Sequence, residues 1–192
     1  MAQNARLFWA VNITDELKEK IDSFSREMRL PGLDARWVAR ESLHLTLAFL
    51  GDTDVNRIVP MVTEVERRLA GFIPFQIQFG GAGFFPSSGS PRVFWLGVGG
   101  EIDRLKKLQR EVLTGLKAAG LAPDTRPFSP HLTLARIKSP AGVSLLRSRA
   151  LEAGHNEIEG ILRVDSVELM QSRLTPGGAI YSVVASLNFK AG

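Results

Sequence analysis

His44-Leu45-Thr46-Leu47-Ala48 recurs letter for letter as His131-Leu132-Thr133-Leu134-Ala135, 87 positions further along the chain. A second likeness, Arg6-Leu7-Phe8-Trp9 against Arg92-Val93-Phe94-Trp95, falls at almost the same offset, 86. Two matches in nearly one register mark a duplicated unit rather than two accidents. In 192 residues only two copies fit, which excludes a long solenoid. The length is that of one domain. The duplication therefore predicts a single α+β domain of two similar lobes, with repeat units over about residues 6–91 and 92–178 and a closing strand over 179–189.

The flanking pattern repeats too. Arg6 to Ile13 is aromatic and β-branched and reads as a strand. Thr14-Asp15-Glu16 then supplies a cap and an acidic first turn, and Leu17, Ile21, Phe24 and Met28 share one helical face until Pro31-Gly32 stops it. In the second copy a strand from Arg92 to Val98 precedes a helix carrying Ile102, Leu105, Leu108, Val112 and Leu116, with Gly120 as its stop. After each histidine segment the order is helix, then strand. Ile58, Val62, Val65 and Leu69 make one stripe before the alternating Phe75, Ile77, Phe79; Leu145 to Leu151 form the matching helix before extended segments at Leu162, Val164 and Val167. Gly80 to Pro91, rich in Gly, Ser and Pro, is the best candidate loop. Whether each lobe keeps its own strands or exchanges one is not encoded in this pattern.

The repeated pentapeptides alternate as strands, so residues two apart point the same way. His44 and Thr46 then share one surface while Leu45 and Leu47 pack behind it, and His131 and Thr133 do the same. With 3 His and 8 Thr in the chain, a given histidine has roughly 4% odds of a threonine two positions on, so a lone case is weak and a duplicated one in register is strong. A single histidine on a strand is more often structural; two copies that keep both chemical positions while the surrounding halves diverge reverse that. Two imidazoles on opposite sides of a phosphorus atom serve as general base and general acid in an in-line displacement, because an ordinary pKa of about 6.5 lets one ring be neutral and the other protonated. The two hydroxyls can hydrogen-bond the non-bridging oxygens where charge accumulates. Zinc would need three or more protein ligands. No Asp or Glu repeats beside the pentapeptides and no cysteine is present, so no metal is expected.

Composition sets the frame. Apolar residues make up 44% and charged residues 23%, ordinary for a folded soluble protein. The absence of cysteine excludes thiol catalysis and iron–sulfur clusters and suits a reducing compartment. The N-terminal apolar run, Leu7 to Ile13, is shorter than a signal peptide requires, and no run approaches the roughly 20 residues that span a bilayer, so a cytoplasmic protein away from membranes is expected. Lys+Arg 24 against Asp+Glu 20 leaves a charge of +4, and 17 of the basic residues are arginine, whose planar fork suits phosphate. The basicity is dispersed and forms no nucleic-acid-binding tail.

HLTLAFLG at His44–Gly51, PRVFWLG at Pro91–Gly97, FSPHLTLAR at Phe128–Arg136, RLFWA at Arg6–Ala10 and Tyr181 in the closing strand together resemble the 2H phosphoesterases, and within them the RNA 2′,3′-cyclic phosphodiesterases, also called 2′-5′ RNA ligases. The resemblance covers nearly the whole chain. It implies antiparallel sheets lining a central cleft with helices outside, and metal-independent hydrolysis of a 2′,3′-cyclic phosphate at an RNA end to a 2′-phosphomonoester. It further implies that His131 is the proton acceptor that activates water, that His44 is the proton donor to the departing 3′ oxygen, and that Thr46 and Thr133 hold the phosphoryl oxygens. The direction of proton flow comes from the resemblance alone. The same site run backwards would join a 2′,3′-cyclic end to a 5′ hydroxyl without ATP. No cofactor is implied, the partner is an RNA end, and a monomer is expected.

Softer candidates surround these four. Arg136 follows the second pentapeptide and is a candidate phosphate ligand, although strict alternation points it away from His131 unless a bulge intervenes. Phe49, Phe84, Phe85, Phe128 and Trp37 are candidates to stack a base, although aromatics in such apolar runs more often belong to a core. His155, without a threonine partner, reads as an exposed helix-end residue. Hydrolysis of another cyclic phosphodiester and non-catalytic binding of an RNA end remain the alternatives.

Overall fold

The computed structural model describes residues 3–124, 126–153, 157–175 and 178–190; His155 lies outside them. The chain begins with β1 (Asn4–Asn12), α1 (Asp15–Glu27) and the short β2 (Ala35–Trp37). It continues through β3 (His44–Asp54), α2 (Ile58–Leu69), β4 (Phe75–Phe85), β5 (Val93–Gly100), α3 (Ile102–Ala118) and β6 (His131–Ile137). It ends with α4 (Val143–Glu152), β7 (Glu157–Val164), β8 (Ser166–Thr175) and β9 (Gly178–Asn188). α3 ends at its expected stop, Gly120 at φ 74°, where a side chain would be strained, whereas α1 ends at Glu27 with Met28 as its cap, before Pro31-Gly32 is reached.

Two antiparallel sheets result, one in the order β3-β1-β8-β9 and the other β2-β6-β5-β4-β7. The question that the repeat pattern leaves open is answered by reciprocal exchange. β4 follows the first histidine strand in sequence yet pairs with β5, the opening strand of the second half. β8 follows the second histidine strand and pairs with β1, the opening strand of the first. The two sheets meet through β3 and β6, so the histidine strands face each other at the seam.

One feature of the duplication is shifted. The letters align Trp9 with Trp95, but in the pairing of each opening strand with its histidine strand Trp9 lies opposite Ala48 and Phe94 opposite Ala135. The structural equivalents are Trp9 and Phe94, both fully buried, and Ala10 and Trp95. Because side chains alternate with period two, a slip of one residue exchanges the faces. Phe8 and Trp95 therefore lie on the cleft faces, although the sequence match sets each against a core residue.

The Gly80–Pro91 stretch, whose composition predicts a loop, divides. Gly80 to Phe85 continue β4, and only the residues beyond form the loop. A Cβ on Gly83 would come within 2.3 Å of the Trp95 indole, so this glycine is spacing inside a strand, not a turn. The fourth helix forms as expected but buries Val143, Leu146 and Ala150, leaving Leu145 and Leu151 exposed. Short β2, which carries no periodicity of its own, was not legible in the sequence.

Burial is shared by both halves. One continuous cluster joins Leu7, Trp9 and Leu45 of the first half to Phe94, Leu96, Leu132 and Leu134 of the second. Each such side chain contributes about 1.5–3 kcal/mol when fully buried. α2 and α3 pack closely at Gly115, where a Cβ would lie 2.8 Å from the Val65 Cα. Among the described residues no helix is long and apolar enough to cross a membrane.

Candidate active site

His44 opens β3 and His131 opens β6, and each ring is fixed in the same way. The Nδ1 of His44 donates to the Ser42 carbonyl at 2.8 Å, and the Nδ1 of His131 to the Ser129 carbonyl at 2.8 Å. A carbonyl oxygen only accepts, so each Nδ1 carries a proton and each Nε2 is left to exchange one. Ser42 and Ser129 are themselves 87 positions apart, a third in-register match that the pentapeptides overshadow.

Each imidazole is also bracketed by two aromatics from neighbouring strands. Phe8 of β1 and Tyr181 of β9 lie 4.7 and 5.0 Å from the His44 ring, the tyrosine edge-on. Phe85 of β4 and Trp95 of β5 lie 4.9 and 6.4 Å from the His131 ring, both edge-on. Packing of this kind restricts rotation without taking up the ring nitrogens. Burial pushes the His44 imidazolium below its ordinary value of 6.5, opposed by the Ser42 carbonyl and reinforced by the positive charges of Lys18 and Arg136.

Gly83→Ala is expected to disturb the second bracket selectively. The added methyl must displace the Trp95 indole, which in turn leans on His131. Overpacking of this sort costs about 1–3 kcal/mol. A melting curve should show that modest loss, and turnover should fall further than stability does.

Alternation fails in both histidine strands at corresponding places. Leu134 and Ala135 are both buried, and the pairing of β6 with β5 steps over Leu134; the bulge brings Arg136 out on the cleft face. In β3 the pairing with β1 steps over Leu47, Leu47 and Ala48 are both buried, and Phe49 emerges at the matching position. A cavity of about 630 Å³ is lined by His44, Thr46, Phe49, Arg136, Trp37 and Tyr181, with Arg6, Arg36 and Phe8 among its other walls. Among the described residues no carboxylate lines it.

Other expected site residues are distributed differently. His131 and Thr133 lie outside the lining of this cavity, on the neighbouring strand of the seam; Thr133 is opposite Trp95 in register. Phe84 requires correction: it is 9% exposed and packs on Phe94 in the core, with its ring centroid 5.1 Å away, so it is not available to a base. Its neighbour Phe85 points to the other face and touches His131. Phe128 is half-buried against the core and is not among the residues lining this cavity. Arg6, Arg36, Phe8 and Tyr181 were missed as cleft residues; only the pairing of strands distant in sequence reveals them.

The lobes are unlike in what fills them. Ala10, opposite Thr46, is fully buried and lies outside the lining of the cavity that His44 borders, whereas the equivalent Trp95, opposite Thr133, packs with Phe85 beside His131. Glu168 is aligned with Ala10, and burial raises its carboxyl above the ordinary value while Lys18 acts in the opposite direction. Among the described residues no three His, Asp, Glu or Cys side chains come together as a metal-ligand set.

The chain is similar to known proteins over most of its length. Residues 15–175 match the model of the 2′-5′ RNA ligase superfamily. The RNA 2′,3′-cyclic phosphodiesterase of Thermotoga maritima is 34% identical over 97% of both chains, and that of Aeropyrum pernix is 40% identical over 80% of this chain and 85% of its own. Among solved structures, a Thermus thermophilus protein superposes with a TM-score of 0.78 at 27% identity, covering 97% of this chain and 98% of its own. Escherichia coli LigT in complex with 3′-AMP gives 0.77 at 25% identity, over 98% and 99%. A bulged histidine strand repeated across a seam, a strand-exchanged pair of sheets and likeness over nearly the full length have one common account: this chain belongs to the 2′-5′ RNA ligase superfamily.

Proposed function

We propose that the protein is an RNA 2′,3′-cyclic phosphodiesterase that opens the cyclic phosphate at an RNA end to a 2′-phosphomonoester, using His131 as base and His44 as acid. The observation that carries this is the matched pair of imidazoles, each with Nδ1 tied to a backbone carbonyl and Nε2 free, on the two strands that meet at the seam. Water attacks phosphorus as its proton passes to His131 Nε2. The P–O3′ bond breaks, and O3′ takes a proton from His44 Nε2. Thr46 and Thr133 donate to the non-bridging oxygens. A 5′ hydroxyl in place of water makes a 2′-5′ linkage by the same proton transfers, without ATP.

The inequality of the lobes supports this direction of proton flow. The departing O3′ belongs to the nucleoside and needs room, and the cavity is bordered by His44 and Thr46. The attacking water needs little, and the side filled by Trp95 and Phe85 holds His131. In this reading the enzyme works on RNA ends as a cytoplasmic monomer, with neither metal nor cofactor.

The test is product analysis on an RNA oligonucleotide with a 2′,3′-cyclic end, in the presence of a chelator. Exclusive 2′-phosphate is expected. Formation of 3′-phosphate, dependence on metal, or binding without turnover would overturn the proposal. The same chemistry sets a titration. As the acid, His44 must be protonated, yet burial, with Lys18 and Arg136 nearby, disfavours its cation. Its imidazole NMR resonances should therefore titrate below pH 6.5 in the free protein and move upward when a phosphate monoester product binds. Lys18→Gln, which removes a repelling charge, should raise the free-protein value.

A further inference from the structure

Eight of the 17 arginines make an ion pair or a side-chain hydrogen bond among the described residues. Arg26, Arg29, Arg40, Arg67, Arg104 and Arg126 pair with carboxylates, and Arg57 and Arg147 donate to backbone carbonyls. The three that line the cavity are among the nine that do neither. Arg6, Arg36 and Arg136 are exposed and make no ion pair or side-chain hydrogen bond among the described residues. Even Arg6, which lies opposite Asp52 in register, makes no ion pair with it; its guanidinium stands 5.2 Å over the Phe49 ring.

A second observation is independent of the first. Arg36 of β2 stands directly opposite Arg136 of β6. Like charges at directly opposed positions of an antiparallel pair destabilise it. Here the pair sits on a three-residue strand at the edge of a sheet, with no carboxylate among the described residues of the cavity wall to offset it. An anion between the two guanidinium forks would remove the repulsion. The reacting cyclic phosphodiester carries one negative charge, fewer than this cavity is built to meet. An RNA strand ending in a cyclic phosphate brings one further charge with each nucleotide on its 5′ side.

We propose that Arg36 and Arg136 together, with Arg6 from the other sheet, hold non-reacting internucleotide phosphates of the RNA strand, so that the cleft selects oligonucleotide ends over cyclic mononucleotides. This rests on the reading of the cleft as a site for RNA ends. Arg36 and Arg6 act as specificity residues, away from the reacting bonds.

Equilibrium binding to the full chain tests it without depending on turnover. The probes are a triribonucleotide ending in a 2′-phosphate and the corresponding nucleoside 2′-phosphate. The trinucleotide is expected to bind about tenfold tighter or more at low salt. The slope of log K against log salt should flatten by about 0.7 for each phosphate contact removed. Arg36→Gln and Arg6→Gln should each narrow the gap several-fold and flatten the slope, and Arg36→Lys should recover part of it. Relief of the repulsion should leave the melting temperature of Arg36→Gln equal to or above that of the parent. Equal affinity for the two probes, or a gap that survives in both glutamine variants, overturns the subsite. If the gap is present but the cyclic end is never opened, the subsite stands and the catalytic reading fails.

Discussion

His131→Ala is expected to lower kcat on a 2′,3′-cyclic RNA end by about 10²–10⁴, the usual contribution of a positioned general base. The histidine is half-buried at the start of β6, held by the Ser129 carbonyl and two aromatic edges, so its loss removes the proposed proton acceptor without opening the core. His44→Ala should produce a loss of similar size by removing the proposed acid. The double variant should fall little below either single one, because groups acting in one concerted transfer are not additive. Steady-state kinetics with melting curves on all three variants check this. Full activity in either single variant would refute the roles assigned here. A loss of activity that merely tracked a loss of folding would do the same.

The second large effect concerns two tryptophans that the letters of the sequence equate. Trp9→Ala should cost about 3–5 kcal/mol, because Trp9 is fully buried between the first sheet and the core. Against a total stability of about 5–15 kcal/mol, that takes away a large part of the folding free energy. Trp9→Phe should lose much less. It keeps most of the apolar contact and removes an indole N–H that is buried without a partner among the described residues. Trp95→Ala should behave oppositely. Its side chain lies on the cleft face, so stability should fall modestly while turnover falls sharply as His131 loses a bracket. Phe94→Ala should instead reproduce the loss seen in Trp9→Ala. Similar melting behaviour for the two tryptophan variants would contradict the observed strand register.

These contrasts mark where the sequence was legible. Strands at His44 and His131, the helices between them and the internal faces of Leu45, Leu47, Leu132 and Leu134 follow from alternation and helical spacing, which are local properties. Histidine and threonine on one surface follow from the same rule. Arg136 was not decided by it, because the bulge that turns this residue toward the cleft depends on how β6 pairs with β5, strands separated in sequence by the whole of α3. Phe84 and Phe85 are adjacent and chemically identical; only the register of β4 against β5 sends one into the core and the other onto His131. Arg36 was hidden because its strand is three residues long and defined entirely by its neighbour.

The crossed placement of β4 and β8 reaches back to how such a protein can arise. A polypeptide carrying only one half would leave its last strand without a mate and its opening strand with a bare flank. Two identical copies would satisfy each other by trading those last strands, making a symmetric dimer with one histidine from each subunit at the shared groove. Joining the copies end to end would preserve every pairing and free the two sides to diverge. Ala10 and Trp95, now so unequal in size at equivalent places, are what that freedom permits: a small side chain closed into the sheet on one flank, a broad indole beside His131 on the other.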